Sequence, residues 1–297
     1  MIVPKIIWQI SGGCDSGCWY CLPRYRNNPN YKELDQYLAV IDRLQNHGER
    51  SKFSKFSWKF YGGEPLQFPN FNIILKEVKK KDAHVSIETS GGDNWFTLLE
   101  IIELIDEITL THHYWQNESV LNYAIDLCSQ TNKKLKVIIP LVPGKMRESK
   151  EKVQKLKQLN INCQEQLLMT ENNNPLKEYS LRDWNIHFGR PEDWIPPTPS
   201  PTPSPTPSAS PTITLPDPNW VDLSKSHGNP SYTNKICYAG VDYLRIDSKG
   251  FISGSNCNGR IIPNVFEPHF EPPDLPFPCP MMYCHSSDDR TNIRRIL

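Results

Sequence analysis

The sequence carries no excess of either charge and no long apolar run. Lysine plus arginine and aspartate plus glutamate each number 33 among 297 residues. No overall field therefore attracts nucleic acid or an anionic membrane, which argues against a simple clamp on duplex DNA. No window approaches the roughly 18 unbroken apolar residues of a membrane span, and the opening MIVPKIIWQI is too short and too mixed for a signal peptide. We therefore expect a cytoplasmic protein with no membrane partner.

Cysteine is present nine times, and the cysteines cluster. Because disulfides are rare in a reducing compartment, the clusters indicate metal binding. Cys14, Cys18 and Cys21 fall within the eight residues CDSGCWYC, whereas Cys128 and Cys163 are isolated and are expected to be buried core residues. A closed zinc site takes four ligands, so three thiols leave one corner of a metal centre open to a substrate. The other four lie towards the end of the sequence: Cys237, Cys257, Cys279 and Cys284.

Strands and helices alternate through residues 1–195, the first predicted domain. The predicted strands are 2–11, 55–62, 84–90, 107–113, 135–142 and 163–170. The predicted helices are 31–46, 71–81, 95–106, 120–131 and 149–159. Such alternation predicts an α/β fold with a parallel sheet, either a partial (β/α)6 TIM-type barrel or an open doubly wound sheet. In both architectures the functional site lies at the carboxyl ends of the strands.

Polar and glycine-rich segments follow the predicted strands at that edge. CDSGCWYC follows the first strand, GGEP (62–65) the second and ETSG (88–91) the third. His112 and His113 end the fourth strand on opposite faces, so that one faces the cavity as an acid or base, or both are structural. Lys145 and Arg147 follow the fifth strand, where they either meet a carboxylate or phosphate or begin a solvated helix.

The last third of the sequence has a different composition. Residues 196–211, PPTPSPTPSPTPSASP, predict an extended, solvated linker or insert, with docking of a proline-recognising partner as the alternative. Residues 212–297 are rich in cysteine, proline and glycine and predict a small domain held together by metal. Within it, 237–257 reads as a β-hairpin with a cysteine at each end. We therefore expect the barrel to be followed by a small Cys-rich domain that contains a β-hairpin.

The first cysteine group resembles the signature loop of the radical SAM enzymes. That loop is C-x3-C-x2-C with an aromatic residue before the last cysteine, here Cys14, Cys18, Tyr20 and Cys21. In that family a GGEP segment after the second strand binds the methionine amino group of S-adenosylmethionine, and this sequence has it letter for letter at Gly62, Gly63, Glu64 and Pro65. The Glu64 carboxylate is expected to meet the ammonium. A Ser/Thr-Gly turn after the third strand, near the ribose and methionine groups in relatives, resembles Thr89, Ser90 and Gly91, and the part of Glu88 in that contact stays open.

The resemblance implies the cofactors and the reaction. The three cysteines would hold three irons of a [4Fe–4S] cluster and leave the fourth open to S-adenosylmethionine. The reduced cluster would cleave this cofactor, and the resulting 5′-deoxyadenosyl radical would take hydrogen from a substrate carbon. A reducing partner such as flavodoxin or ferredoxin is implied. Relatives with similar extensions most often modify peptides or proteins, and modification of a nucleoside or nucleic-acid base is the alternative. Four tryptophans either stack on bases or fill the core and interfaces: Trp115, Trp184, Trp194 and Trp220.

The second cysteine group resembles the opening of the auxiliary-cluster extensions called twitch and SPASM domains. Its four thiols, those of Cys237, Cys257, Cys279 and Cys284, would ligate a second [4Fe–4S] cluster. A four-cysteine structural zinc, or incomplete ligation involving His269 or His285, is the alternative. An alternative from a different functional class is a zinc-binding Cys-rich interaction protein. In such a protein both cysteine groups would bind zinc, and there would be no redox chemistry.

Overall fold

The computed structural model describes residues 5–21, 31–50, 56–92, 94–170, 175–193, 236–237, 243–253, 261–262, 264–272 and 277–278. Several sequence predictions fall on residues outside these ranges: segment 196–211, Cys257, Cys279, Cys284, His285, Trp194 and Trp220. The backbone of Cys237 is described, but its side chain is not. These predictions therefore stay predictions.

Six parallel strands follow one another through the sheet in chain order. They are β1 Lys5–Ser11, β2 Ser57–Gly62, β3 His84–Thr89, β4 Glu107–Thr111, β5 Lys134–Leu141 and β6 Cys163–Leu167. Every neighbouring pair is parallel. The predicted α/β class and parallel sheet are confirmed, and the arrangement is consistent with a partial TIM-type barrel.

Helices follow the strands as the alternation predicts. They are α1 Leu34–Arg50, α2 Phe71–Lys79, α3 Trp95–Ile101, α4 Glu118–Gln130, α5 Met146–Gln158 and α6 Leu181–His187. The predicted helix 95–106 ends early and continues as a 3-10 turn at Ile102–Leu104. The sequence prediction missed α6, because seven residues are too few to show helical periodicity. Its signal was the capping box between Ser180 and Asp183, in which each side chain bonds the other's backbone.

The core forms where the strands meet α1 to α3. All residues of β1 after Lys5 are buried, as expected of a strand covered on both faces. Buried side chains recur in α2 at helical spacing and pack on the sheet: Phe71, Ile74, Leu75 and Val78. Trp8 and Trp58 are the largest fully buried side chains, and their ring centroids lie 6.3 Å apart. This packing holds the carboxyl end of β1, and with it the first cysteine group, against the end of β2.

The predicted β-hairpin is confirmed, but it is part of the main sheet. The remaining strands are β7 Ile236–Cys237, β8 Tyr243–Ile246, β9 Ile252–Ser253, β10 Ile261–Ile262 and β11 Phe277–Pro278. β8 and β9 are antiparallel, while β8 pairs in parallel with β1 as a seventh parallel strand. Leu244 and Ile246 are buried in the same core as β1. The sequence prediction places this hairpin in the second domain, whereas β8 extends the sheet beside β1, a strand that is buried on both faces after Lys5.

Within the described ranges, no helix combines the length and apolar character that crossing a bilayer requires.

Candidate active site

A cavity of about 270 Å³ opens at the carboxyl ends of the parallel strands. The loops after β1 to β4 and the strands β5 and β6 all contribute to its wall. Eleven of its lining residues belong to the predicted segments: Cys14, Ser16, Cys18, Tyr20, Cys21, Gly62, Gly63, Glu88, Thr89, Ser90 and His113. The structure thus brings together residues that are up to 99 positions apart in the sequence. A larger cavity of about 550 Å³ between α4 and α5 contains none of the cysteines.

The cysteine loop leaves β1 through a turn held by Ser11. The Ser11 hydroxyl donates to the Gly13 carbonyl oxygen at 3.0 Å, and the Gly13 amide donates back to that hydroxyl at 3.1 Å. The Cys21 amide closes the loop on the Cys18 carbonyl oxygen at 3.0 Å. Three side chains of the loop are thiols of intermediate burial on the cavity wall, outside any disulfide: Cys14, Cys18 and Cys21. Burial raises the pKa of the Cys14 and Cys18 thiols.

The three thiols fit a cluster better than a single ion. Among the described residues, no three cysteine, histidine or acidic side chains converge closely enough to bind one metal ion. A [4Fe–4S] cluster offers each thiolate a different iron, so its ligands need not converge on a point. The soft sulfur donors and their common cavity wall suit such a cluster.

The two glycines after β2 form a tight seam with the cysteine loop. The Gly63 amide donates to the Ser11 carbonyl oxygen and the Glu64 amide to that of Gly13, both at 2.9 Å. A Cβ atom on Gly62 would lie 2.2 Å from the Ser11 oxygen, and one on Gly63 would lie 2.0 Å from the Gly13 oxygen. The backbones approach so closely that any side chain here would displace the loop.

The Glu64 carboxylate does not line the cavity. It is 1% exposed and turns towards the end of β3. Oε1 accepts from the Thr89 hydroxyl at 2.5 Å and from the Leu66 amide at 3.1 Å, and Oε2 accepts from the Ser90 hydroxyl at 2.8 Å and amide at 2.9 Å. Burial raises the pKa of Glu64, and these hydrogen bonds oppose that rise. The sequence predicts that this carboxylate contacts the cofactor's ammonium group. In the structure it instead accepts four hydrogen bonds from the segments after β2 and β3. Pro65 begins the 3-10 turn Pro65–Gln67, for which Glu64 is the N-cap residue.

Glu88 places a carboxylate on the cavity wall instead. Its side chain pairs with Lys59, with 2.6 Å between Nζ and Oε2. Glu88 is also the only charged residue among the described lining residues. Thr89 and Ser90 also line the cavity, and their hydroxyl groups donate hydrogen bonds to Glu64.

The two histidines after β4 face different surroundings, as their alternation predicts. His113 lines the candidate active site, and its Nδ1 lies 2.7 Å from the Tyr20 hydroxyl oxygen. Burial lowers the pKa of His113 to about 4 and raises the pKa of Tyr20, so both groups are neutral near pH 7. His112 is 1% exposed and borders the cavity between α4 and α5. Burial also lowers its pKa to about 4, and neither ring nitrogen has a hydrogen-bond partner among the described residues.

Lys145 and Arg147 lie outside the candidate active site. They sit at the start of α5 and pair with Glu148 and Glu192 respectively. Of the two interpretations offered by the sequence, the start of a solvated helix fits Lys145 and Arg147.

Sequence reasoning missed part of the cavity wall. These residues occupy the last positions of strands or the loops beyond them: Tyr61, Thr111, Pro140, Gln166, Leu167, Leu168 and Met169. Only their position in the sequence could have identified them, because the carboxyl ends of parallel strands meet at one site. Cys128 is buried in the core as predicted, while Cys163 is only partly buried.

Comparison with known proteins gives a family match and a fold match. The family model described as the Radical SAM superfamily matches residues 8–178. The chain is similar to native anSMEcpe with bound AdoMet at 13% identity and a TM-score of 0.52, covering 89% of this chain and 78% of that one. It is similar to anSMEcpe with bound AdoMet and Kp18Cys peptide at 14% identity and a TM-score of 0.53, covering 89% and 78%. For BtrN in complex with AdoMet and 2-DOIA the identity is 16% and the TM-score 0.41, covering 91% and 80%. No curated protein sequence matches the chain.

Proposed function

The chain belongs to the radical SAM superfamily and is an enzyme of that class, and we propose that Cys14, Cys18 and Cys21 hold its [4Fe–4S] cluster. The observation that carries the proposal is the shared cavity, in which these thiols face the glycine seam after β2 and the turn after β3. A bound cluster supplies the electron that cleaves S-adenosylmethionine. That electron has to come from a donor, for which we propose a protein such as flavodoxin or ferredoxin.

The protein's own residues would bind and orient S-adenosylmethionine. Gly62 and Gly63 let the cofactor approach the backbone beside the cysteine loop, and Tyr20 lies on the same wall. Thr89 and Ser90 add polar groups whose positions Glu64 fixes. We propose Glu88 as the carboxylate that attracts the cofactor's ammonium or sulfonium charge, because it lines the cavity and Glu64 does not. Glu64 and Pro65 would then contribute by shaping the seam.

Replacing Glu88 with glutamine should weaken S-adenosylmethionine binding about tenfold, because a charge-assisted contact worth about 1.4 kcal/mol is lost. Glu64→Gln is the matched variant. An amide cannot accept all four of its hydrogen bonds, so this change should lower the free energy of unfolding by about 1–3 kcal/mol. Equilibrium dialysis with labelled cofactor and chemical denaturation measure the two effects. The opposite result would be unchanged cofactor affinity in Glu88→Gln together with a tenfold loss of affinity in stably folded Glu64→Gln. It would contradict the role given to Glu88 and assign the ammonium contact to Glu64.

We propose a peptide or protein as the substrate. No lysine or arginine is found among the described lining residues, so this part of the wall offers no cation to a nucleotide phosphate. Beyond Gln166, the side formed by β6 and its continuation is apolar and suits a neutral side chain: Leu167, Leu168 and Met169. The anSMEcpe structure with a Kp18Cys peptide shares the fold, which is compatible with this choice. Trp115, 44% exposed, favours a nucleobase as the second candidate because it offers a ring for stacking.

Hydrogen transfer to the cofactor distinguishes these substrates. The reconstituted, reduced enzyme is incubated with S-adenosylmethionine and fractions of a deuterium-labelled cell extract, separated into peptides and proteins, nucleic acids, and small metabolites. We expect deuterium in 5′-deoxyadenosine from the peptide and protein fraction, measured by mass spectrometry. Enzyme without reductant is the control. Label from the nucleic-acid fraction alone would contradict a peptide substrate and favour the nucleobase.

We further propose that the second cysteine group holds an auxiliary [4Fe–4S] cluster, in a twitch- or SPASM-like region covering 212–297 after a linker at 196–211. The register of β7 and β11 supports this, since Cys237 pairs with Phe277, two residues before Cys279. A four-cysteine cluster needs such backbone proximity between distant cysteines.

A further inference from the structure

The segment after β4 contacts the cysteine loop through His113 and Tyr20. The His113 ring stacks on Trp115 with 5.5 Å between centroids and 1° between planes. The His113 backbone amide donates to Gln116 Oε1 at 2.7 Å, and Gln116 Nε2 donates to the Ser90 carbonyl oxygen at 2.8 Å. Residues 113–116 are thereby anchored to the turn after β3, at the level of the cavity.

This anchored segment lies beside the Cys18 thiol. Trp115 and Tyr20 both act to lower the pKa of that thiol, against the rise that burial causes, as groups do that can donate to a thiolate. An indole N–H can only donate, so Trp115 can act only as a donor towards this thiol. His113 Nδ1 lies 2.7 Å from the Tyr20 oxygen and has two possible tautomers. When Nδ1 carries the proton, it donates to Tyr20, whose own proton is then free to point at the sulfur.

We propose that Trp115 and Tyr20 donate hydrogen bonds to the Cys18 sulfur and raise the reduction potential of the cluster, with His113 and Gln116 as positioning residues. This inference rests on the proposed ligation of the cluster by Cys18. Hydrogen bonds to cluster sulfurs are among the factors that set the reduction potential. Donors stabilise the reduced state more than the oxidised one, because the reduced cluster carries one more negative charge on its irons and sulfurs.

The test replaces the donors while keeping their rings. Trp115→Phe removes the indole N–H, and Tyr20→Phe removes the hydroxyl. Trp184→Phe makes the same chemical change in α6, where Trp184 packs on Tyr179 and Phe188. Each full-length variant is reconstituted anaerobically and titrated by EPR, following the reduced signal that S-adenosylmethionine perturbs. That perturbation identifies the open cluster and separates it from an auxiliary one.

We expect Trp115→Phe and Tyr20→Phe each to make reduction about tenfold less favourable, a fall of about 59 mV for one electron. Trp184→Phe should keep the wild-type potential. His113→Phe should behave like Tyr20→Phe, and His113→Gln, which retains a donor, should recover part of the shift. Recovery by glutamine distinguishes positioning through a hydrogen bond from simple packing.

Two kinds of failure can be told apart. Wild-type protein without iron, or with a signal that S-adenosylmethionine leaves unchanged, would overturn the proposed cluster site and the inference with it. A normal wild-type signal, combined with equal potentials in Trp115→Phe, Tyr20→Phe and Trp184→Phe, would overturn the inference alone.

Discussion

Replacing Cys14, Cys18 and Cys21 together with alanine is expected to lower the iron content of the reconstituted protein from about eight to about four atoms per chain. It should also abolish formation of 5′-deoxyadenosine. The reason is geometric: these three thiols share one cavity wall, and no other cysteine borders the described cavity. The four cysteines from 237 onwards would retain their own cluster. Iron and sulfide analysis, with chromatography of the nucleoside product, gives both results.

Cys128→Ala is the control for this experiment, because Cys128 is a buried thiol in α4 that contributes to the core. It should leave iron and product unchanged. Iron that falls from four to none in the triple variant would leave a single cluster and contradict the auxiliary one. Protein that takes up zinc and no iron would contradict the cluster assignments at both cysteine groups.

Replacing Gly63 with alanine is expected to lower the free energy of unfolding by about 3 kcal/mol and to impair cluster assembly. The new Cβ would lie 2.0 Å from the Gly13 oxygen and 3.0 Å from the Cys14 nitrogen, both backbone atoms. To remove this steric overlap, the cysteine loop has to move away from β2, and that movement breaks the hydrogen bonds of the seam. Chemical denaturation measures the stability, and iron retained per chain measures the loop geometry.

Gly144→Ala separates this steric effect from backbone strain. Gly144 has a φ of +76° but no atom within 4 Å of a new Cβ, so alanine should cost only about 1 kcal/mol and leave the iron content intact. Equal losses of stability in the two variants, with full iron in Gly63→Ala, would contradict the structural role given to the seam.

Periodicity and spacing predicted an α/β fold with a parallel sheet, but they did not predict the directions in which side chains point. Buried residues alternate along β3 and fill the last five positions of β5, and the pairing of these strands follows from general rules for parallel sheets. Glu64 shows the limit. A carboxylate in a GGEP segment has two nearby destinations, the cavity and the hydroxyl groups after β3, and only the three-dimensional structure distinguishes them.

Trp115 illustrates a second limit. In the sequence it is one of eight tryptophans, with no spacing relation to the cysteine loop. Its position beside Cys18 depends on the bend that follows β4 and on Gln116, which ties that bend to Ser90. The pairing of β8 with β1 was equally invisible, because residues 243–246 carry no sign of which distant strand they will join.

The position of β1 between β2 and β8 has a consequence for biosynthesis. As the chain emerges from the ribosome, β2 follows β1 after α1, but residues 243–246 appear only after all the other parallel strands of the sheet. Until then β1, the strand that carries the cysteine loop, has one open hydrogen-bonding edge. Closing a pair so distant in sequence is a slow, late folding step. A nascent chain therefore keeps the edge beside its cysteine loop accessible until β8 has been made, and the proposed cluster would have that interval in which to assemble.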